Sequence, residues 1–259
     1  MFVDSHCHLE FPDFDADRDE VFSRARAAGV DYIIAMGGAH GPAHLSSGLT
    51  MAAGRKNVWA TTGIHPHDAK DARDEHFAEM AALAATPKIV AIGEIGLDYF
   101  HDHSPRDVQH RVFIQQMELA AAARLPIVIH CREAWSDCLA LMEQHWKPRG
   151  LGGILHCFSG TLDDARRGMD MGFYVSFAGN ITFPKAAPLR EVAAQLPREV
   201  LLTETDAPFL APVPNRGKRN EPSYIPLVAA TLAAAQRTTA EEIGNTTTAN
   251  LQRFIGNRT

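Results

Sequence analysis

Two histidines near the start of the chain have the spacing of a metal-binding pair. His6 and His8 are two residues apart, so on a β-strand both imidazoles point to the same face and can bind one ion. A histidine pair alone is also compatible with ordinary hydrogen-bonded side chains. Further ionisable residues follow other short apolar segments, and these are His65, His67, Glu94, His130, His156 and Asp206. The metal-site prediction depends on whether the fold brings them together.

These residues supply more ligands than one ion requires. A carboxylate that lies between two sets of imidazole nitrogens can bridge a pair of divalent cations. We therefore predict a binuclear centre made of His6, His8, Glu94, His130, His156 and Asp206. Mixed nitrogen and oxygen ligands suit Zn, Mn, Ni or Fe, whereas Mg prefers sites made only of oxygen.

The elements that must position these side chains alternate between strands and helices. Eight short apolar, β-branched segments occur at residues 2–7, 30–36, 58–63, 89–95, 126–129, 153–155, 173–177 and 200–205. Helix-like stretches separate most of them, which predicts an α/β fold with a parallel sheet, and the number and length favour a (β/α)8 TIM barrel. The rival is a doubly wound open sheet, but the strands lack a GxGxxG or GxxxxGK[ST] phosphate loop. Without a break in composition, residues 1–259 are expected to form one domain.

In a barrel, the C-terminal ends of the strands meet at one mouth, where active sites of this fold lie. Period-two alternation places Asp4 one pleat below His6 and Glu204 one pleat below Asp206, so both are predicted to support the metal ligands. Ordinary buried polar pairs are the alternative for these two. The same alternation turns three cysteines beside predicted ligands toward the helix layer, namely Cys7, Cys131 and Cys157.

Helix starts are readable at two places. Ser104 is expected to cap a helix that has Pro105 at its first position, and Thr161 is expected to cap another. His101 and His103 follow the fourth strand at the rim of the predicted mouth, where contact with substrate is conceivable but not indicated by spacing. The remaining histidines are expected to be exposed to solvent.

Composition limits the classes of partner. The 259 residues carry 25 Lys and Arg against 31 Asp and Glu, a net charge of −6, so a globally basic nucleic-acid-binding surface is excluded. Histidine is unusually frequent, with 13 residues. The four cysteines form no close pair, and neither a signal peptide nor a membrane span is recognisable, so we expect a cytoplasmic protein without a membrane association.

The motifs around these residues resemble those of the TatD family of metal-dependent deoxyribonucleases, within the amidohydrolase-type hydrolases. They are Val3-Asp4-Ser5-His6-Cys7-His8-Leu9, Gly63-Ile64-His65-Pro66-His67, Gly93-Glu94-Ile95-Gly96-Leu97-Asp98-Tyr99, Pro126-Ile127-Val128-Ile129-His130-Cys131-Arg132, His156-Cys157-Phe158-Ser159-Gly160 and Glu204-Thr205-Asp206-Ala207-Pro208. The resemblance extends to about Glu221. One departure is Glu10, where the family usually has Asp or Asn.

The resemblance implies how the ligands are distributed. His6, His8 and Asp206 would bind one metal, His130 and His156 the other, and Glu94 would bridge them. It also implies a deoxyribonuclease that hydrolyses phosphodiester bonds, removing nucleotides from a DNA end or single-stranded segment. The family's activity is usually associated with Mg or Mn, which differs from the preference expected of the nitrogen ligands. No obligate protein partner is indicated.

Catalytic and substrate roles follow from the same resemblance. Asp206 is expected to act as the general base and Glu94 to hold the two cations together. His65 and Arg132 are predicted to contact phosphate. The loop after the eighth strand contains Arg216, Lys218 and Arg219, which could bind a strand backbone or could be an ordinary solvated charge run.

Two other functions remain open at this stage. A binuclear centre could instead hydrolyse a small ester, lactone or amide, in which case the basic loop would be dispensable. A non-catalytic nucleic-acid-binding protein with a structural metal is the alternative from another class. Cleavage of nucleic acid and its dependence on the basic loop distinguish the three.

Overall fold

The computed structural model describes residues 1–256, in which eight parallel strands alternate with helices. The strands pair in sequence order, as expected of the predicted (β/α)8 barrel. They are β1 (Phe2–Cys7), β2 (Val30–Ala35), β3 (Val58–Thr62), β4 (Ile89–Asp98), β5 (Ile127–Arg132), β6 (Gly153–Leu155), β7 (Phe173–Phe177) and β8 (Leu201–Thr203). Every predicted apolar segment forms a strand. Among the largest differences, β4 continues to Asp98 rather than ending at Ile95.

The barrel closes between its last and first strands through side-chain and loop contacts. The hydroxyl of Thr203 donates to the carbonyl of Val3 over 3.0 Å, and the backbone N–H of Asp206 donates to the carbonyl of His6 over 2.9 Å. This second contact holds Asp206 beside the first histidine pair. Residues from the two ends of the chain thus share the mouth.

Helices surround the strands, and the last helix covers one end of the barrel. They are α1 (Arg18–Ala27), α2 (Ser47–Ala52), α3 (Asp74–Ala84), α4 (Arg106–Ala123), α5 (Trp135–His145), α6 (Leu162–Met169), α7 (Ala187–Gln195), α8 (Ile225–Ala235) and α9 (Ala240–Ile255). Leu251 and Ile255 of α9 belong to an apolar cluster with Val3 and Leu202, at the N-terminal ends of the strands. The mouth at the opposite end stays accessible. Within residues 1–256, no helix is long and apolar enough to cross a membrane.

Two strands break the simple alternation that sequence reasoning assumes. Val3 packs in the same apolar cluster as Val128, yet His6, three residues later, reaches the mouth. The pairing of β1 with β2 shifts register between Asp4 and Cys7, and that of β4 with β5 shifts between Ile92 and Ile95. These irregularities re-aim the side chains that follow them, which is a common role of bulges near functional sites.

One predicted helix start is wrong and the other is confirmed. Helix α4 begins at Arg106 with Pro105 as its N-cap, so Ser104 lies outside it. The Ser104 hydroxyl instead donates to the carbonyl of His67 over 2.7 Å and accepts from the backbone N–H of Lys70. Ser104 therefore joins the loop after β3 to the loop after β4. At α6, Thr161 caps the helix as predicted, accepting from Asp164.

Candidate metal centre

The first donor group lies where β1, β4 and β8 end. The Nε2 atoms of His6 and His8 are 3.1 Å apart, and they lie 3.2 and 3.7 Å from Oε2 of Glu94. Oδ1 of Asp206 is 3.8 Å from His6 Nε2 and 3.4 Å from His8 Nε2. Four potential ligand atoms from three strand ends therefore converge on one point.

The second donor group faces the other oxygen of Glu94. Oε1 lies 2.7 Å from Nδ1 of His130, 3.3 Å from Nε2 of His156 and 3.5 Å from Nε2 of His65. These residues follow or end β5, β6 and β3. Glu94 thus directs one carboxylate oxygen to each donor group, which is the arrangement required of a bridging ligand.

The chemistry and spacing of both groups fit divalent cations. Ligand atoms about 2.1 Å from an ion at tetrahedral corners lie roughly 3.4 Å from one another, close to the separations in the first group. The donors are imidazole nitrogens and carboxylate oxygens, which suit borderline metals. Several subsets of these side chains have ligand atoms within 4.8 Å of one another, among them His6–His8–Glu94 and Glu94–His130–His156. The residues present can therefore hold metal ions.

The surrounding side chains keep the carboxyl groups of Glu94 and Asp206 ionised, the form that binds cations. Burial opposes ionisation of Glu94, but the surrounding rings of His156 and His6 hold its pKa well below the ordinary value. Burial likewise opposes ionisation of Asp206, yet its hydrogen bond with His8 keeps the pKa of that carboxyl low. Burial, with the neighbouring His130, lowers the pKa of His65 to about 3, so this imidazole is neutral near pH 7.

The geometry suits the predicted supporting roles of Asp4 and Glu204. Glu204 is fully buried, and its Oε1 lies 2.8 Å from Nδ1 of His156, on the side of the ring away from Glu94. Asp4 accepts from the backbone N–H groups of His6 and Thr205 and from the Thr205 hydroxyl. A carboxylate in the position of Glu204 fixes the orientation of a metal-binding imidazole, whereas Asp4 holds the backbone beside His6 and Asp206.

Sequence reasoning missed a third supporting carboxylate. Oε1 of Glu10 lies 3.3 Å from Nδ1 of His8, and the Glu10 side chain is only 4% exposed. Glu10 therefore orients His8 as Glu204 orients His156. The signal in the sequence was the departure at Glu10 from the family's usual Asp or Asn, which by itself did not indicate a contact with His8.

Sequence reasoning also missed two buried glutamines of α4 that fix strand ends. The Gln109 side chain bonds to both the N–H and the carbonyl of Asp98, at 2.8 and 3.0 Å. Gln116 does the same at Ile64, the residue before His65, at 2.7 and 3.0 Å. Each amide satisfies backbone groups at or just beyond the end of a strand. Buried Gln on a helix carries no sequence signal that separates it from a surface Gln.

Close approach between β4 and β5 also depends on Gly96. Its φ is +141°, and a Cβ added there would lie 2.0 Å from the carbonyl oxygen of His130. Because only glycine avoids this collision, Gly96 lets the end of β4 pack directly against His130. Glu94 and His130 consequently reach bonding distance.

A cavity of about 880 Å³ opens onto the donor groups. Its lining includes His65 and Arg132, the two residues predicted to contact phosphate. The walls also include three aromatic rings, Phe11, Phe183 and Phe209, and Phe209 is 49% exposed. The cavity thus combines charged, metal-binding and aromatic surfaces.

The structure separates the three cations of the loop after β8. Arg216 and Lys218 are exposed, and the Arg216 guanidinium lies 4.5 Å from the ring centroid of Phe183, in the cavity wall. Arg219 instead donates to both carboxylate oxygens of Asp17 at 2.7 Å and lies over Phe14. The Arg219 guanidinium therefore makes a structural contact with Asp17, and its predicted contact with substrate stays a prediction.

The predicted orientation of the cysteines is correct for two of the three. Cys7 and Cys131 are buried in the apolar core among the helices. Cys157 instead is only partly buried and lies outside that core, because β6 ends at Leu155 and Cys157 adopts a left-handed φ of +42°. Strand alternation does not apply beyond the end of the strand. Asp206 also follows its strand and has a φ of +56°.

Comparison with known proteins agrees with this geometry. The family model described as TatD related DNase matches residues 3–256. The protein named uncharacterized metal-dependent hydrolase YabD of Bacillus subtilis is 42% identical over 255 residues, covering 98% of this chain and 99% of YabD. The protein named 3'-5' ssDNA/RNA exonuclease TatD of Cronobacter turicensis is 38% identical over 249 residues, 93% of each chain. The crystal structure of the TatD homologue YjjV of Escherichia coli K12 aligns with a TM-score of 0.88 at 31% identity, covering 98% of this chain and 97% of YjjV. The chain therefore belongs to the TatD-related DNase family.

Proposed function

We propose that this protein is a nuclease with two divalent cations that hydrolyses phosphodiester bonds and removes nucleotides from the end of a single strand. The observation that carries the proposal is the division of Glu94, whose two oxygens face two separate donor groups at the base of one cavity. Its relatives named as 3'-5' single-stranded DNA and RNA exonucleases support the choice of substrate. RNA is therefore included beside DNA.

In this proposal His6, His8 and Asp206 hold one cation, and His130 and His156 hold the other. Glu94 bridges the pair. When bound, two such cations polarise a phosphoryl oxygen and lower the pKa of a water molecule between them. The nitrogen-rich donor set favours Zn, Mn, Ni or Fe over Mg.

The chain's own side chains supply the remaining chemistry. Asp206 is ionised and belongs to the first donor group, so it can accept a proton from the attacking water. His65 is neutral and reaches the second donor group, where its ring can donate a hydrogen bond to a phosphoryl oxygen. Arg132 contributes a positive charge at the cavity wall, and its planar guanidinium suits phosphate.

The aromatic side of the cavity fits a nucleobase. Phe11 and Phe209 pack edge to face with ring centroids 5.5 Å apart, and both lie near His8 of the first donor group. Exposed aromatic rings bind single-stranded nucleic acid by stacking, which tolerates any base. A strand end placed with its phosphate at the donor groups would bring a base to these rings. This arrangement favours a nucleotide over a small ester or amide.

The test is to incubate purified, metal-reconstituted protein with end-labelled single-stranded and double-stranded DNA and single-stranded RNA, with a lactone and an amide as further substrates. We expect mononucleotides from the single strands and a loss of at least about 10²-fold in rate for Asp206→Asn, given the size of general-base effects. Hydrolysis of the lactone or amide without cleavage of nucleic acid would support a small-molecule hydrolase instead. Binding of nucleic acid without any cleavage would indicate a non-catalytic protein.

A further inference from the structure

A second cluster of potential ligands lies in the same mouth, beside the donor groups. We call it the rim cluster and define it as His67, Asp98, His101 and His103. Oδ2 of Asp98 lies 2.9 Å from Nε2 of His67 and 2.9 Å from Nδ1 of His101. The ring of His103 is 4.7 Å from that of His67, centroid to centroid, and all three histidines line the cavity.

The fold holds the carboxylate of the rim cluster in one orientation. Asp98 is fully buried, and its Oδ1 accepts from the backbone N–H groups of Phe100 and His101, at 3.0 and 2.8 Å. Gln109 fixes its backbone on both sides. Oδ2 is thereby left to face the histidines. Hydrogen bonds from the rings of His130, His67 and His101 and from the backbone N–H of His101 outweigh burial and hold the pKa of Asp98 below its ordinary value.

The loop that carries His67 is fixed independently. The backbone carbonyl of His67 accepts from the Ser104 hydroxyl, and Ser104 follows His103 directly. The Lys70 ammonium adds a second link between the same loops by donating to the carbonyl of His103. His67 and His101 are therefore positioned against the Asp98 carboxylate, with His103 beside His67, before any ligand arrives.

We propose that the rim cluster binds a third divalent cation, separate from the two at Glu94. His67, Asp98 and His101 form one of the sets whose ligand atoms lie within 4.8 Å of one another. Asp98 is buried, His67 is partly buried and His101 is exposed. Two imidazoles and one carboxylate suit Zn²⁺, Ni²⁺ or Co²⁺. Three protein ligands leave at least one coordination position open, as in zinc sites that exchange water or substrate.

Exposure separates this site from the binuclear centre. The side chains of His67 and His101 are 29% and 43% exposed, whereas those of His6 and His8 are 0% and 7% exposed. A cation at the rim therefore exchanges with solvent and binds more weakly than those at Glu94. It fills the rim cluster only after the inner donor groups are occupied.

The alternative is that the rim cluster only orients His130. Asp98 Oδ2 also lies 3.0 Å from Nε2 of His130, whose Nδ1 is 2.7 Å from Glu94. This contact would account for the position of Asp98 through His130 alone. It does not use His101 or His103, which follow the end of β4 and do not contact Glu94 in the donor groups described above. An experiment that removes one of these outer histidines separates the two possibilities.

The test is crystallography of the whole protein in limiting and in excess Zn²⁺, with anomalous data collected on both sides of the zinc absorption edge. In limiting zinc we expect anomalous peaks at the two donor groups alone. In excess zinc we expect a third peak in bonding contact with His67, Asp98 and His101. The absence of a third peak in excess zinc would overturn the proposal.

A solution measurement on matched variants completes the test and does not depend on nuclease activity. Equilibrium dialysis against Zn²⁺ should show His101→Ala losing one bound ion per chain in excess metal while keeping the tightly bound ions. His44→Ala, an exposed histidine outside the cavity lining, should lose none. Equal zinc content in His101→Ala and the unchanged protein would contradict the proposal. His101 is exposed, so its removal should leave the melting temperature nearly unchanged.

Discussion

The barrel mouth and the loop after β8 both gather charged side chains, but they balance charge in opposite ways. At the mouth, the carboxylates of Glu94 and Asp206 face the imidazoles of the donor groups. Near the loop, Asp17 and Glu221 each bond to Arg24, and Asp17 also bonds to Arg219. We call these four residues the arginine network. Its partners are fixed opposite charges, whereas those at the mouth are ring nitrogens that can themselves bind metal.

This difference teaches which charges are available for function. In the arginine network, each carboxylate already has bidentate or multiple guanidinium donors, at distances from 2.6 to 2.8 Å. In the first donor group at the mouth, acceptor atoms lie 3.1–3.8 Å apart around a common point, and a cation satisfies them all at once. The charges of the arginine network are paired within the fold, whereas those at the mouth remain able to bind a cation.

The largest effect is expected from removing the carboxylate that both donor groups share. Glu94→Gln keeps the size of the side chain but removes the negative charge that faces both donor groups. We expect metal content to fall at both positions and nuclease activity to drop by roughly 10³-fold or more, because the ligands act as a unit. Elemental analysis and turnover measured on the same preparation check this.

Glu221→Gln is the matched control, since it makes the same chemical change in the arginine network. Its metal content and turnover should equal those of the unchanged protein. Equal metal loss in both variants would show that the effect of Glu94→Gln arises from general destabilisation rather than from the site.

The next effect concerns the carboxylates behind the ligands. Glu204→Gln and Glu10→Gln each leave the donor atoms in place but weaken the hold on His156 or His8. Losses of about 10 to 100-fold in metal affinity are typical of such supporting contacts. Titration with a competing chelator measures the affinity. Activity should recover at saturating metal, which would not occur if either carboxylate took part in the chemical step.

The sequence predicted the architecture and the converging ligands because both leave local signals. Apolar β-branched segments mark the strands, and polar residues at their C-terminal ends mark the mouth. Glu10, Gln109 and Gln116 could not be found this way, since their roles depend on long-range contacts. The helix start at Ser104 was misplaced for the same reason, because its hydroxyl bonds to His67.

The charge run after β8 shows the limit of local reasoning most clearly. Arg216, Lys218 and Arg219 look equivalent in the sequence, but Asp17, about 200 residues away, takes Arg219. A register shift likewise moves His6 out of the alternation that begins at Val3. Neither a distant counter-ion nor a bulge follows from residue types and spacing alone.

A smaller effect is expected from the exposed cations of this loop. Replacing Arg216 and Lys218 together by Gln should weaken binding of a single-stranded oligonucleotide by about 3 to 10-fold at low salt and reduce the slope of affinity against salt concentration. Arg219→Gln should leave that slope unchanged because its guanidinium serves Asp17. Fluorescence anisotropy at several salt concentrations measures both. An equal change of slope in Arg219→Gln would remove the distinction drawn between these residues.

The smallest effect lies within the arginine network and depends on pH. Burial opposes ionisation of Glu221, but its bonds with Arg24 and Ser223 lower its pKa in the folded protein. A carboxyl whose folded pKa is lowered stabilises the fold above its unfolded pKa, about 4.3, and this contribution disappears as pH falls through the folded value. Since Arg24 is 42% exposed, Glu221→Gln should cost no more than about 1 kcal/mol, a fall in Tm of roughly 2–4 °C at pH 7. The difference in Tm between the two proteins should narrow as the pH is lowered below 4, because protonation then removes the same charge from the unchanged protein. Thermal denaturation by circular dichroism across this range measures it, and a difference that stays constant with pH would show that the ion pair adds nothing.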